Sequence, residues 1–125
     1  MAAINEVRRR AGASDIRFDM TIARLASVRV KEVKLIFDDT GSLSHTRPGG
    51  RKFSTVWNEY GISKPLNVGE NITFARRFSG AADMVSVWMD SQQHKSNLLD
   101  PKYHRFGMAK YDTSYGPFAV VLLAS

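Results

Sequence analysis

The chain has 125 residues, of which 43% are hydrophobic and 24% are charged, as in an ordinary globular protein. No apolar run approaches the roughly 20 residues that a membrane-spanning helix requires, so we expect no segment that crosses a membrane. The net charge is +6, but the basic residues are scattered without interleaved aromatic residues, which argues against specific nucleic-acid binding. Cysteine is absent, which excludes disulfides and thiolate metal ligands.

The N-terminal part of the chain predicts two helices. The first covers residues 3–11 and ends at Gly12, a residue type that commonly follows a helix end. Asp19 is the expected N-cap of a longer helix from Met20 to Phe37, where apolar residues recur at helical spacing along a wide face. Glu32 interrupts that face, so its carboxylate should point partly inward, and a buried carboxylate needs a partner.

The middle of the chain alternates turn formers with short apolar segments. Residues 38–52, DDTGSLSHTRPGGRK, predict a loop, and FSTVWNEYG predicts a short helix. The segment LNVGENITFA mixes β-branched and aromatic residues, which predicts a strand with a turn or bulge near Gly69.

The C-terminal part adds a helix and two strands. Ser79 is a plausible N-cap for a helix in GAADMVSVWMD, and SQQHKSNLLDP predicts a turn or short helix that a proline stops. The segments HRFGMAKYD and FAVVLLA predict two strands with a tight connection. Helices come first and strands mostly late, without repeats or a linker, so residues 1–125 predict a single α+β domain.

The chain has three histidines, and two of them lie among small polar residues. These are His45 in the predicted loop and His94 in SQQHKSN, whereas His104 begins an amphipathic strand. A loop histidine is more often a surface residue than a functional one. Glu70, in VGENI, is compatible with a cleft carboxylate and equally with a residue that accepts hydrogen bonds from loop amides and holds the chain in place.

Several motifs, taken in order, are similar to those of a known family. The chain resembles the bacterial branch of the CAP superfamily, or SCP-like domains, the relatives of cysteine-rich secretory proteins, antigen 5 and plant pathogenesis-related proteins. The resemblance covers nearly the whole chain and depends on INEVRRRAG, a helix with RVKE, then SHTRPGG, GENI, VWMDSQQHKSNLL and FGMAKY.

The resemblance implies a three-layer α-β-α sandwich with a small antiparallel sheet. It also implies a surface cleft where His45, Glu70 and His94 converge, with a divalent metal, zinc above all, held between the two histidines. Ser91 occupies the place where many relatives carry a second glutamate, so the four-residue set is incomplete. Glu32 corresponds to a recurrent acid of bacterial members and would support the cleft from beneath.

Three functions remain open from the sequence. The first is binding of a cell-surface, lipid or peptide ligand in the His/Glu cleft, with or without a metal. The second is metal-assisted hydrolysis with Glu70 as general base. The third is a lipid- or sterol-binding or adhesion module, for which the candidate groove residues, each more often found in a core, are Trp57, Tyr60, Phe74 and Phe78.

The family resemblance also sets expectations about location and smaller site details. Because MAAINEVRRRAG lacks the apolar part of a signal peptide, the protein is either cytoplasmic or its export segment is not in this chain. The resemblance implies the second, with an extracellular or cell-wall-associated location, and we expect a monomer. Ser44 and Ser91 adjoin the histidines, but turn or cap chemistry is their ordinary role. Arg47 is either solvated or reaches a carboxylate across the cleft mouth.

Overall fold

The computed structural model describes residues 2–75, 77 and 80–125. The helices in this part of the chain are α1 (Ala2–Arg10), α2 (Met20–Thr40), α3 (Thr55–Glu59), α4 (Ala81–Met89) and α5 (Gln92–Leu99). The strands are β1 (Arg17–Phe18), β2 (Val68–Phe74), β3 (Arg105–Thr113) and β4 (Gly116–Ala124). The predicted order of helices and strands is therefore confirmed, except that the two-residue β1 was too short to predict.

Helix α2 begins as predicted and ends three residues later than predicted. The Asp19 carboxylate accepts a hydrogen bond from the Ile22 N–H at 3.1 Å, which makes Asp19 the N-cap. The helix continues past Phe37 to Thr40 because Gly41 is the next residue that can adopt positive φ without steric strain. Gly41 has a φ of 74° and donates its N–H to the Phe37 carbonyl.

The sheet has the strand order β1-β3-β4-β2. The pairs β2–β4 and β3–β4 are antiparallel, and β1 adds a short parallel pairing to β3. The predicted antiparallel arrangement is therefore correct for the long strands. Strand β2 lies at one end of the order, so the GENI segment occupies an edge of the sheet.

Strand β4 is the centre of the core. Phe118, Val120 and Leu122 pack into the layer of α2 and α3, whereas Ala119 and Val121 face the layer of α1, α4 and α5. The apolar side chains alternate between two helical layers because successive side chains of a strand point to opposite faces. Burial of each large side chain stabilises the fold by about 1.5–3 kcal/mol. The sheet with a helical layer on each face is the expected α-β-α sandwich.

Gly69 does not form the predicted bulge. Strand β2 pairs with β4 in continuous register from Val68 to Phe74. The glycine is needed because Tyr103 packs against this position, and a Cβ atom here would lie 2.6 Å from the Tyr103 hydroxyl oxygen. The sequence pattern predicted a turn or bulge at this glycine, but what the structure shows there is a side chain 34 residues away (103 − 69).

The aromatic residues divide between core and surface. Trp57 and Trp88 are buried, one in each helical layer. Tyr60 is exposed, and Phe74 is partly buried beside Phe118. Phe78 and the predicted N-cap Ser79 lie outside the described residues. In the described part of the chain, no helix has both the length and the apolar composition of a membrane span.

Candidate functional site

The candidate site is built around strand β2, where the side chains of neighbouring Glu70 and Asn71 point to opposite faces of the sheet. Glu70 points with Val68 and Ile72 toward α2, and Asn71 points toward α5. Because β2 is an edge strand, elements from both helical layers meet beside it. The loop after α2 brings His45 to this edge, and α5 brings His94.

Glu70 is buried and binds a buried arginine that sequence reasoning missed. Arg29 donates from Nε to one carboxylate oxygen of Glu70 at 2.7 Å and from a terminal nitrogen to the other at 3.0 Å. His45 Nδ1 lies 2.9 Å from Glu70 Oε1. The structure therefore brings His45 and Glu70 into direct contact, and both carboxylate oxygens of Glu70 are engaged.

Arg29 also holds the surroundings of His45. It donates to the Ser44 carbonyl at 3.3 Å and to Glu32 at 3.0 Å. Burial lowers the pKa of Arg29, but its bonds to Glu70 and Glu32 raise it by more, so the net shift is upward and the guanidinium stays charged. One signal for this role was available in the sequence, since Arg29 falls within the buried stripe of α2 beside Ala26 and Val33.

Glu32 has the partner that its inward position required. Its two oxygens accept hydrogen bonds from Arg47 Nε at 3.0 and 3.2 Å, and one also accepts from Arg47 Nη2 at 2.8 Å. Arg47 is buried, forms a further ion pair with Glu59 and donates to the Thr55 hydroxyl at 3.1 Å. Of the two predictions for Arg47, the one in which it reaches a carboxylate is correct.

His94 is held through its backbone from β2. The Asn71 side chain donates to the His94 carbonyl at 2.9 Å and accepts from the Asn97 amide at 3.0 Å. Burial lowers the pKa of His94, and the charge of nearby His45 lowers it further. Both effects favour the neutral form of the His94 imidazole, and His94 lies within electrostatic reach of His45.

Ser44 lies in a turn and Ser91 lies at the start of a helix. The Ser44 hydroxyl accepts the Thr46 N–H at 3.0 Å. Ser91 precedes α5, makes no side-chain capping bond, and accepts the Lys95 N–H at its carbonyl at 2.8 Å. His104 lies just before β3, where its N–H donates to the Ala124 carbonyl at 2.8 Å, and its side chain is exposed.

The donor chemistry of the site allows few metal ligands. Within the described residues, no group of three or more His, Asp or Glu side chains is arranged to hold a metal ion. Glu70 already contacts Arg29 and His45 through both oxygens, so it fits the place of an outer partner that orients a histidine ligand. His45 and His94 remain as two imidazole donors.

The comparisons with known proteins identify the family of the chain. Residues 1–123 match the CAP, or cysteine-rich secretory protein, family. The uncharacterized protein YkwD of Bacillus subtilis is 26% identical over 104 residues, which cover 83% of this chain and 38% of YkwD.

Two solved structures show the same fold. An extracellular protein containing an SCP domain from Bacillus anthracis aligns with a TM-score of 0.76 and 21% identity, over 98% of this chain and 38% of that one. An outer surface protein of Borrelia burgdorferi aligns with a TM-score of 0.74 and 20% identity, over 98% of this chain and 86% of that one. The chain thus spans well under half of the two Bacillus proteins. By its family match over residues 1–123, the chain belongs to the CAP (cysteine-rich secretory protein) family.

Proposed function

We propose that this chain is the CAP domain of an exported protein whose cleft, defined by His45, Glu70 and His94, binds a ligand at the cell surface. The observation that carries the proposal is the contact of His45 Nδ1 with the buried Glu70 carboxylate at 2.9 Å, while 51% of the His45 side chain stays exposed. The His45 ring is thus oriented by a buried carboxylate while about half of its side chain is accessible to solvent, an arrangement suited to ligand binding. The extracellular role is supported by two structural relatives, an extracellular protein of Bacillus anthracis and an outer surface protein of Borrelia burgdorferi.

We propose further that the two imidazoles can hold a divalent metal, with zinc the best match. Neutral imidazole nitrogen is a preferred zinc ligand, and the pKa of His94 is lowered, which keeps that ring neutral. Within the described residues no group of three or more His, Asp or Glu side chains is arranged to hold a metal, so binding by His45 and His94 would be weak and exchangeable. The metal, when bound, would supply a Lewis acid for an oxygen of the ligand.

Calorimetric titration with zinc tests the metal proposal. We expect measurable heat for the wild type and its loss in His45→Ala and in His94→Ala. His104→Ala is the matched control, because the His104 side chain is exposed and takes no part in the His45–Glu70 contact, and this variant should give the wild-type isotherm. Equal isotherms for all four proteins would remove His45 and His94 from any metal site.

Hydrolysis is the second candidate, and the dyad of His45 and Glu70 favours a particular form of it. A general base needs a lone pair that can reach the attacking water, and both Glu70 oxygens are engaged by Arg29 and His45. The geometry therefore assigns the base role to His45, with Glu70 as the residue that orients it.

A substrate screen separates the binding and hydrolytic functions. Peptide, ester and peptidoglycan substrates are incubated with the wild type, His45→Ala and Glu70→Gln. Hydrolysis through the dyad predicts turnover that falls about 10²–10⁴-fold in His45→Ala, because the base is lost. Turnover should fall less in Glu70→Gln, which keeps the base but removes the carboxylate that orients it. Turnover that survives His45→Ala unchanged would exclude this mechanism.

A further inference from the structure

Arg29 contacts several of the groups that surround the His45 ring. Its side chain is fully buried on α2 and binds both oxygens of Glu70, the residue that contacts His45 Nδ1. It donates to the carbonyl of Ser44, the residue directly before His45, at 3.3 Å. Its remaining bond, to Glu32 at 3.0 Å, supports the carboxylate that binds Arg47, two residues after His45.

We propose that Arg29 is the positioning residue of the cleft and that it fixes His45 as the tautomer protonated on Nδ1. This inference rests on the proposed function, since it says how the binding site is prepared for its ligand. An ionised carboxylate can only accept hydrogen bonds, so the 2.9 Å contact with Glu70 requires the proton on His45 Nδ1. Neutral His45 then carries its lone pair on Nε2.

The tautomer determines which ligands the ring can meet. With the proton held on Nδ1, Nε2 is an acceptor, so His45 can bind a hydroxyl or amide N–H group or a metal ion. It cannot donate to a carboxylate or phosphate through that nitrogen unless the ring takes up a second proton. The site should therefore select ligands that present hydrogen-bond donors or a Lewis acid.

The charges around Arg29 are consistent with this selection. The connected ion-pair network contains three cations and three anions, namely Arg29, Arg47, Arg51, Glu32, Glu59 and Glu70. The charges of these six residues sum to zero, so the network adds no net charge to the cleft.

Nitrogen-15 NMR of the histidine rings tests the inference without any ligand. Long-range proton correlations distinguish a protonated from an unprotonated ring nitrogen. Histidine free in water favours the proton on Nε2, so a dominant Nδ1–H form is a specific signature of the Glu70 contact. We expect this form to exceed the other by about tenfold in the wild type at pH 8, the scale of one hydrogen bond to a charged group.

The variant Arg29→Lys should lower that ratio about tenfold, because Arg29 donates four hydrogen bonds to Glu70, Glu32 and the Ser44 carbonyl, whereas a lysine ammonium has three N–H donors and no planar fork for the two Glu70 oxygens. Arg8→Lys is the matched control, because Arg8 is equally buried but donates to the backbone carbonyls of Ser14, Leu98, Asp100 and Tyr103. It should leave the His45 ratio unchanged. Arg29→Met is the second variant, because it removes every donor to Glu70, Glu32 and the Ser44 carbonyl and leaves the buried Glu70 carboxylate without its arginine.

The results distinguish this inference from the proposed function. A wild-type His45 with its proton mainly on Nε2, or a ratio that Arg29→Lys and Arg29→Met leave unchanged in folded protein, would overturn the role of Arg29. Zinc heats that depend on His45 and His94 would still stand in that case. Conversely, absence of zinc heat with the expected tautomer shift would remove the metal and leave the positioning role intact.

Discussion

Arg47 binds both carboxylate oxygens of Glu32 across 15 positions of the sequence, with Nη2 2.8 Å and Nε 3.0 and 3.2 Å from them. This contact fastens the glycine-rich loop that carries His45 to helix α2. The loop needs such an anchor because Gly49 and Gly50 both adopt positive φ, and its only regular pairing in the described part of the chain is the Thr46–Lys52 bridge. A loop with few contacts of its own is thereby held in one position.

Replacing Glu32 with alanine should lower the free energy of unfolding by about 3 kcal/mol, because buried Arg47 and Arg29 each lose a charged partner. Urea denaturation measures the change. Asp15→Ala is the control, since it breaks the exposed Arg9–Asp15 pair and should cost less than about 1 kcal/mol. Equal costs for the two variants would show that the network around Glu32 adds no more than a surface ion pair.

His94 should make stability depend on pH. Burial and the charge of His45 lower the pKa of His94 in the folded protein below its ordinary value of about 6.5. As the pH falls below about 6.5, His94 takes up a proton in the unfolded chain but not in the folded chain. The contribution of His94 to the free energy of unfolding is therefore lost as the pH falls from about 6.5 to the lowered pKa of the folded protein. Above both values the contribution is fully present.

Urea denaturation at pH 7.5 and pH 5 tests this sign. The free energy of unfolding of His94→Asn should fall less between pH 7.5 and pH 5 than that of the wild type. That of His104→Asn should fall as much as in the wild type. An NMR titration that placed the pKa of His94 at or above 6.5 would contradict the prediction directly.

Gly107 should tolerate no side chain, because helix α2 packs directly on strand β3 at this position. A Cβ atom would lie 2.1 Å from the Ala23 nitrogen and 2.3 Å from the Ile22 carbonyl carbon. Both contacts are with backbone, which cannot move aside without displacing α2. Gly107→Ala should therefore cost about 3 kcal/mol or more in the free energy of unfolding.

Gly80→Ala is the comparison variant for Gly107→Ala. Its φ is 167°, an extended conformation open to any residue, and no described atom lies within 4 Å of the added Cβ. We expect a change below about 1 kcal/mol, the scale of an N-cap substitution. Thermal denaturation in which both alanines had the same effect would refute close packing at Gly107.

Asn71→Ala should loosen the helix that carries His94. The change leaves the His94 carbonyl and the Asn97 amide without their partner in β2, which costs about 1–3 kcal/mol in the free energy of unfolding. It should also shift the NMR signals of His94 more than those of His45. Asn58→Ala, at an exposed position of α3, is the control. His94 signals that stay in place in the Asn71 variant would mean that α5 is held by other contacts.

Local patterns in the sequence predicted much of the fold. The N-cap at Asp19, the periodic face of α2 and the β3–β4 hairpin were all predicted from residues within a few positions of one another. Helical and strand periodicity are properties of neighbouring residues, so a single sequence carries them directly. The three-layer arrangement followed from the family resemblance, which the structure and the comparisons confirm.

Long-range contacts were decided by tertiary structure alone. The sequence placed His45 and Glu70 in segments compatible with a cleft, but Arg29 appeared to be one more polar residue of a helix. It becomes the central residue of the site only when Glu70, 41 positions away, lies opposite it. A buried charge must find its partner in space and not along the chain, so the sequence determined that partners were needed, and only the folded structure could determine which residues they are.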